Sequence, residues 1–169
     1  QYAHWLAANV SLRGFPAERR GAPLSWDNVL YDSDALGYVV ATHQHRTAHQ
    51  DQTVFTWYQA LCDGPPDRER QRLLETPWAT WAERILRDVF AALADPLRRE
   101  IVTRLDLMRW GHAMVRPWPG FVWGAARQRL EQARDRVLFA HSDLSGYSVF
   151  EEAHYRGVLA AERVLADLA

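Results

Sequence analysis

The chemistry-bearing side chains of this 169-residue sequence are few: seven histidines, one cysteine and scattered carboxylates. His43, His45 and His49 fall together with Asp51. A His-x-His pair puts both imidazoles on one side of a strand, an arrangement zinc accepts. The cluster lies in a polar stretch, and no second ligand group at a metal-binding spacing backs it, so the expectation is solvated histidines and no metal. Cys62 stands before Asp63-Gly64-Pro65-Pro66, a turn signature, with no neighbouring base. It reads as an ordinary side chain at a strand end, because reactive thiols need an electropositive setting. All twenty basic residues are Arg, which excludes a lysine-based mechanism carried by this chain. His112, beside Trp110, is the histidine best placed to face a substrate, whereas His154 falls among apolar helix positions and reads as packed core. Asp143 and Ser145 precede the helical stretch that starts at Val149; in the plainest reading they cap that helix, and Glu151 and Glu152 complement its dipole. No G-x-G-x-x-G occurs, so the glycine-rich turn that holds a dinucleotide pyrophosphate is missing.

These residues need a scaffold, and the composition allows one. Hydrophobic residues at 48% and charged residues at 24% match a globular domain with a single respectable core. No stretch approaches the eighteen or so apolar residues of a membrane span. A net charge of -1 gives no reason to expect nucleic acid or an anionic membrane as partner. The single Cys rules out an internal disulfide. Strand-like sequence begins at once after Gln1, with no secretory leader, so the chain reads as excised from something longer, and a cytoplasmic location is expected with export left open.

Residues 2–12 read as a strand, followed by a Gly-, Pro- and Arg-rich loop to Pro23. Further strands are expected at 26–31, 36–42 and 53–60, with turns at Asp32-Ser33-Asp34 and in the polar 43–51 stretch. Helices follow at 66–75 and 78–93, the second with Trp78, Trp81, Ile85, Val89 and Leu93 on one face. A strand at 101–110, a loop over 111–124 and a short helix over 125–135 come next. The run Val137-Leu138-Phe139-Ala140 is continuously apolar, as in a strand covered on both faces. The 149–168 helix carries a small-residue face (Ala153, Gly157, Ala160, Ala161) suited to close packing on a sheet. The eight Trp are expected mainly in the core.

Leu138-Phe139-Ala140-His141-Ser142-Asp143, then Ser148-Val149-Phe150-Glu151-Glu152-Ala153, then Gly157 and Ala160-Ala161, resemble the closing motif of flavin-containing amine oxidases, phytoene desaturases and protoporphyrinogen oxidases, with a bacterial branch the nearest in character. In that family a buried strand ends in a small residue and an acid, and a loop leads into a helix whose first turn points at the isoalloxazine. Arg109 to Gly120 resembles the segment where the substrate-domain sheet passes the flavin, and Tyr2 to Leu12 and Gly37 to Gln44 resemble substrate-domain strands. The resemblance implies FAD contacts from Ser142, Asp143, Ser148, Val149 and Phe150. The backbone amides of Val149 and Phe150 would face the flavin O2, and Asp143 would accept ribityl or ribose hydroxyls. It implies a substrate pocket including His43, Trp110, His112 and Met114. Two departures, Ala113 where monoamine oxidases place an aromatic and the lack of any lysine, argue against an amine substrate and leave flavin binding untouched.

The expectation is therefore an α+β chain: residues 1–124 forming a mostly antiparallel substrate-domain sheet with flanking helices, and residues 125–169 supplying the C-terminal strand and helix of an FAD-binding domain whose N-terminal dinucleotide-binding half is absent. The implied function is hydride transfer from a small organic substrate to flavin in the intact protein, with no catalytic base assigned. This chain alone would be inactive, and would self-associate or pair with the missing half. The alternative is a non-catalytic, aromatic-rich module that binds a ligand or a protein.

Overall fold

The computed structural model describes residues 1–17, 20–21, 25–44, 51–91, 93, 99–132 and 137–168, with the His43 side chain left out. Its class is α+β: a five-stranded antiparallel sheet and four α-helices among the described residues. The strands are β1 (Tyr2–Arg13), β2 (Asp27–Val29), β3 (Gly37–Val40), β4 (Gln52–Leu61) and β5 (Val102–Val115), in the order β2-β3-β4-β1-β5. The helices are α1 (Pro66–Glu75), α2 (Trp78–Ala91), α3 (Ala125–Glu131) and α4 (Phe150–Leu168).

Alternation builds the sheet. In β1, His4, Leu6, Ala8, Val10 and Leu12 are buried while the residues between them are not; in β4, Thr53, Phe55, Trp57, Gln59 and Leu61 do the same. The antiparallel register runs from His4 opposite Leu61 to Arg13 opposite Gln52, so the two buried rows face the same side. Glycine is obligatory at Gly37, where φ is +145° and a Cβ would stand 1.8 Å from the Asn28 carbonyl oxygen of β2.

That face is covered by α1 and α2. Pro66 occupies the first position of α1, where its missing N–H costs nothing, and Asp67 and Glu69 sit in the first turn beside the positive end of the helix dipole. Leu73 of α1 and Trp81, Ile85, Val89 and Phe90 of α2 join Leu6, Val10, Phe55 and Trp57 in one buried cluster. Each such side chain contributes about 1.5–3 kcal/mol through removal from water. Two polar devices sit inside it. The Asp88 carboxylate accepts from Ser33 Oγ at 2.7 Å and from the Trp57 indole at 3.2 Å. His4 has Nδ1 at 2.6 Å from Gly111 O and Nε2 at 2.7 Å from Pro66 O.

Several expectations are corrected. Val137-Leu138-Phe139-Ala140 is not a strand: Val137 makes a single bridge, and Val137 and Phe139 stay 55% and 47% exposed because no described element covers them. No residue of α4 is buried, so its small-residue face is not packed on a sheet, and His154 is exposed, not core. Residues 111–115 continue β5, since pairing with β1 overrides the loop character of the glycine. Of the tryptophans, Trp57 and Trp81 are buried, whereas Trp26, Trp78, Trp110, Trp118 and Trp123 are exposed. Cys62 lies just past β4 and is exposed. No helix among the described residues is long and apolar enough to cross a membrane.

By its contacts the chain divides into two compact units, one of His4–Gly111 and one of Gln1–Ala3 with His112–Ala169.

Candidate functional site

Within the unit of Gln1–Ala3 and His112–Ala169, an acid, a phenol and two imidazoles converge. Residues Ser142–Leu144 form one 3-10 turn, entered from His141, and the Asp143 N–H donates to His141 Nδ1 at 3.1 Å. That bond uses the Nδ1 lone pair, so the imidazole acts there as an acceptor, and the 3.3 Å approach of Nδ1 to Asp143 Oδ1 is a contact rather than an ion pair. On the other side of the carboxylate, the Tyr2 hydroxyl at the start of β1 donates to Asp143 Oδ2. This hydrogen bond, then burial, then the carboxylate charge push the Tyr2 phenol above its usual value of 10.0. The Tyr2 ring also meets His112 edge-on, with centroids 5.3 Å apart and planes at 79°.

The segment after Asp143 is held from two directions. Gly146, at φ +78°, turns the chain where a Cβ would press to 3.2 Å against Phe121 and Val122. Ser148 Oγ then accepts from the Val115 N–H at 3.0 Å, tying the approach to α4 to the end of β5. Beneath the 3-10 turn, Leu144 O accepts from Arg127 Nη1 at 2.6 Å and Arg156 Nη2 at 3.3 Å, and Ser145 Oγ accepts from Arg156 Nε at 2.8 Å. Both guanidiniums meet Glu131 Oε1, at 2.7 and 2.8 Å. Burial pushes the Glu131 carboxyl up, but the hydrogen bonds from Arg156 and Arg127, with their charges, outweigh it and hold it below 4.5. Asp143 is thus carried on a turn clamped by α3 and α4. Beside the clamp is a depression of about 250 Å3 lined in part by Leu138, Phe139, Leu144 and Leu159, below the usual range of about 300–1,000 Å3 for small-molecule pockets.

The helix end adds donors. The first helical bond of α4 runs from Ala153 N to Val149 O at 3.2 Å, which leaves the amides of residues 150–152 ahead of the helical ladder. Val149 N is taken by Tyr147 O at 3.0 Å, so of the two amides expected to face a flavin only that of Phe150 is available. Glu151 and Glu152 in the first turn already complement the dipole, so this helix end does not by itself demand an anion.

Of the expected site residues, Ser142, Asp143, Ser148, Val149 and Phe150 are brought together by chain proximity, with Val149 and Phe150 exposed. His112 and Met114 alternate on β5 and are both exposed; Trp110, two residues earlier on that strand, is counted in the other unit and is also exposed. His43 lies in the 3-10 segment Ala41–Gln44, and His45 and His49 fall outside the described residues. Among the described residues no group of three or more His, Cys, Asp or Glu could hold a metal ion. Sequence reasoning missed Tyr2, Arg127, Glu131 and Arg156; the four-residue spacing of Arg127 and Glu131 is the one legible signal among them.

The chain matches no known family model, no curated protein and no solved structure.

Proposed function

We propose that this chain is the C-terminal part of an FAD-dependent oxidoreductase related to the amine oxidases and phytoene desaturases, and that it supplies flavin-end and substrate contacts to a site completed by an N-terminal half. What carries the reading is the Asp143 carboxylate, held by Tyr2 on a clamped turn shortly before the open amides of α4. A carboxylate offers about four lone-pair positions, and Tyr2 takes one, so Asp143 retains capacity for a ribityl or ribose hydroxyl. The amides at 150–152 and the partial positive charge of the helix end favour the negative edge of a reduced flavin. No glycine-rich phosphate turn lies in the sequence, so the pyrophosphate falls to the other half. Bound FAD would supply a hydride acceptor; the chain's own residues position the substrate, with His112 and Met114 along β5 and Phe150 at the helix as the contacts. The substrate is a small organic molecule oxidised at a C–N or C–C bond.

A second reading, a binding module without redox chemistry, is favoured by the exposed aromatics Trp118, Trp123, Tyr147 and Phe150. The absorption spectrum of the purified full-length protein separates the two. A flavin spectrum with bands released on denaturation supports the oxidoreductase; a colourless protein that takes up no FAD on incubation and desalting overturns it.

A further inference from the structure

A groove of about 680 Å3 lies in the His4–Gly111 unit, between the last turn of α1 and the outer face of α2. Its wall is built by helical spacing: Thr80, Glu83, Arg84 and Arg87 recur at three and four residues along α2, and Arg72 of α1 faces them. None of these residues belongs to the site described above. Arg72 and Arg84 carry their guanidiniums 5.7 and 5.9 Å from the centroid of the buried Trp81 ring, which holds the two cations against it.

The donors on this wall outnumber their acceptors. The Trp81 indole N–H and the Arg84 Nε–H are both buried, and neither has a partner among the described residues. Trp81 is only 2% exposed, so bulk water does not satisfy it. Buried donors in this state are rare in native proteins, and a small shift of the half-buried Arg84 side chain would bring its Nε–H to an acceptor in the groove. Among the described residues Arg87 makes a long 3.9 Å approach to Asp88, whose carboxylate already serves Ser33 and Trp57. Arg72 reaches Glu69 at 3.4 Å, and Arg84 spends one nitrogen, Nη2, on Asp34. Neither Glu69, Asp34 nor Asp88 lines the groove. The one acid that does, Glu83, is held by Arg99 at 3.0 and 2.9 Å.

We propose that this groove binds the phosphate group of a small phosphorylated ligand, with Arg72, Arg84 and Arg87 as its cations and the Thr80 hydroxyl as a neutral donor. Arg72 and Arg84 already pair with Glu69 and Asp34, so a phosphate would meet Arg87 and the N–H groups that the other two guanidiniums do not spend on those acids. A phosphate monoester brings about 1.5 to 2 negative charges and more acceptor oxygens than a carboxylate. Guanidinium forks match phosphate geometry, and the groove has room for an organic portion beyond the phosphate.

The test is a 1H–15N NMR titration of the protein with inorganic phosphate, then with AMP, and with acetate as control, all at constant ionic strength. The Trp81 indole resonance, assigned by Trp81→Phe, and the Arg84 Nε resonance report the groove. Saturable shifts of both with phosphate or AMP, absent with acetate, are expected. Arg87→Gln, at an exposed position, should weaken binding about tenfold or more, as loss of one charge-assisted bond does; Thr80→Val should weaken it less. Tighter binding of AMP than of inorganic phosphate assigns the organic portion to the groove. No shift, a linear shift shared with acetate, or equal affinity in Arg87→Gln with a wild-type circular dichroism spectrum overturns the proposal.

Discussion

Replacing His4 with Leu removes the imidazole that links two carbonyls in the interior of the His4–Gly111 unit, at little change in side-chain volume. The ring is 4% exposed and spans 2.6 Å to Gly111 O and 2.7 Å to Pro66 O, joining β1, β5 and the first residue of α1. Both partners are carbonyls and a neutral imidazole carries one N–H, so one bond is made at a time, worth about 0.5–1.5 kcal/mol net. Neither carbonyl is fully orphaned by the change. Gly111 O keeps Arg70 Nη1 at 2.9 Å, and Pro66 O keeps its place in the helical ladder. The loss therefore sits near the middle of that range, about 1 kcal/mol, which for a chain of this length lowers the melting temperature by roughly 2–4 °C. Thermal unfolding followed by circular dichroism measures it. His4→Gln, whose amide nitrogen can donate to one of the two carbonyls, should recover most of the loss. A Leu variant melting within about 1 °C of the parent refutes the reasoning, since it would mean that the two contacts contribute nothing.

Gly37→Ala should cost at least about 2 kcal/mol, because the new Cβ meets Asn28 O in a backbone region closed to alanine; an unshifted urea midpoint contradicts this. Glu131→Gln should destabilise the chain at neutral pH and progressively less in acid. The carboxyl is held below 4.5, so its stabilisation is present above that value and is lost as pH falls through the depressed one. Melting curves across acid pH check it, and a difference from the parent that does not shrink as pH falls contradicts it. Tyr2→Phe should remove one late-ionising tyrosine; Tyr58, raised by burial and by its bond to Asp27, is another and should remain. Because the Tyr2 value is raised, its bond to Asp143 is intact below about pH 10 and is lost as pH rises through the raised value. An alkaline absorbance titration counts the late tyrosines, and an unchanged count contradicts the geometry.

What could be read from the sequence was what local pattern controls. Period-two alternation marks β1 and β4, and Pro66 with the break at Thr76-Pro77 marks both ends of α1. The three- and four-residue spacing of α2 also places Trp81, Ile85 and Val89 in the core, although Trp78 at its start is exposed. The run Val137–Ala140 misleads because continuous apolarity signals a need for cover and not the presence of a covering element. Likewise α4 shows small residues at helical spacing, a pattern that does not name what they pack against. The site itself was half legible. Asp143 stands out before a helix, but the residue that fixes its carboxylate, Tyr2, lies 141 positions away, and no local pattern announces that pairing. Arg156, which braces the same turn from α4, is one arginine among twenty in a sequence without lysine.

The role given to Asp143 is tested most directly by flavin occupancy in the full-length protein carrying Asp143→Ala, read from the flavin-to-protein absorbance ratio after titration with FAD and desalting. Loss of one hydroxyl contact to a charged acceptor should weaken FAD about tenfold or more, with Tyr2→Phe falling between variant and parent. Occupancy that follows the parent curve throughout the titration would contradict the placement of Asp143 at the cofactor.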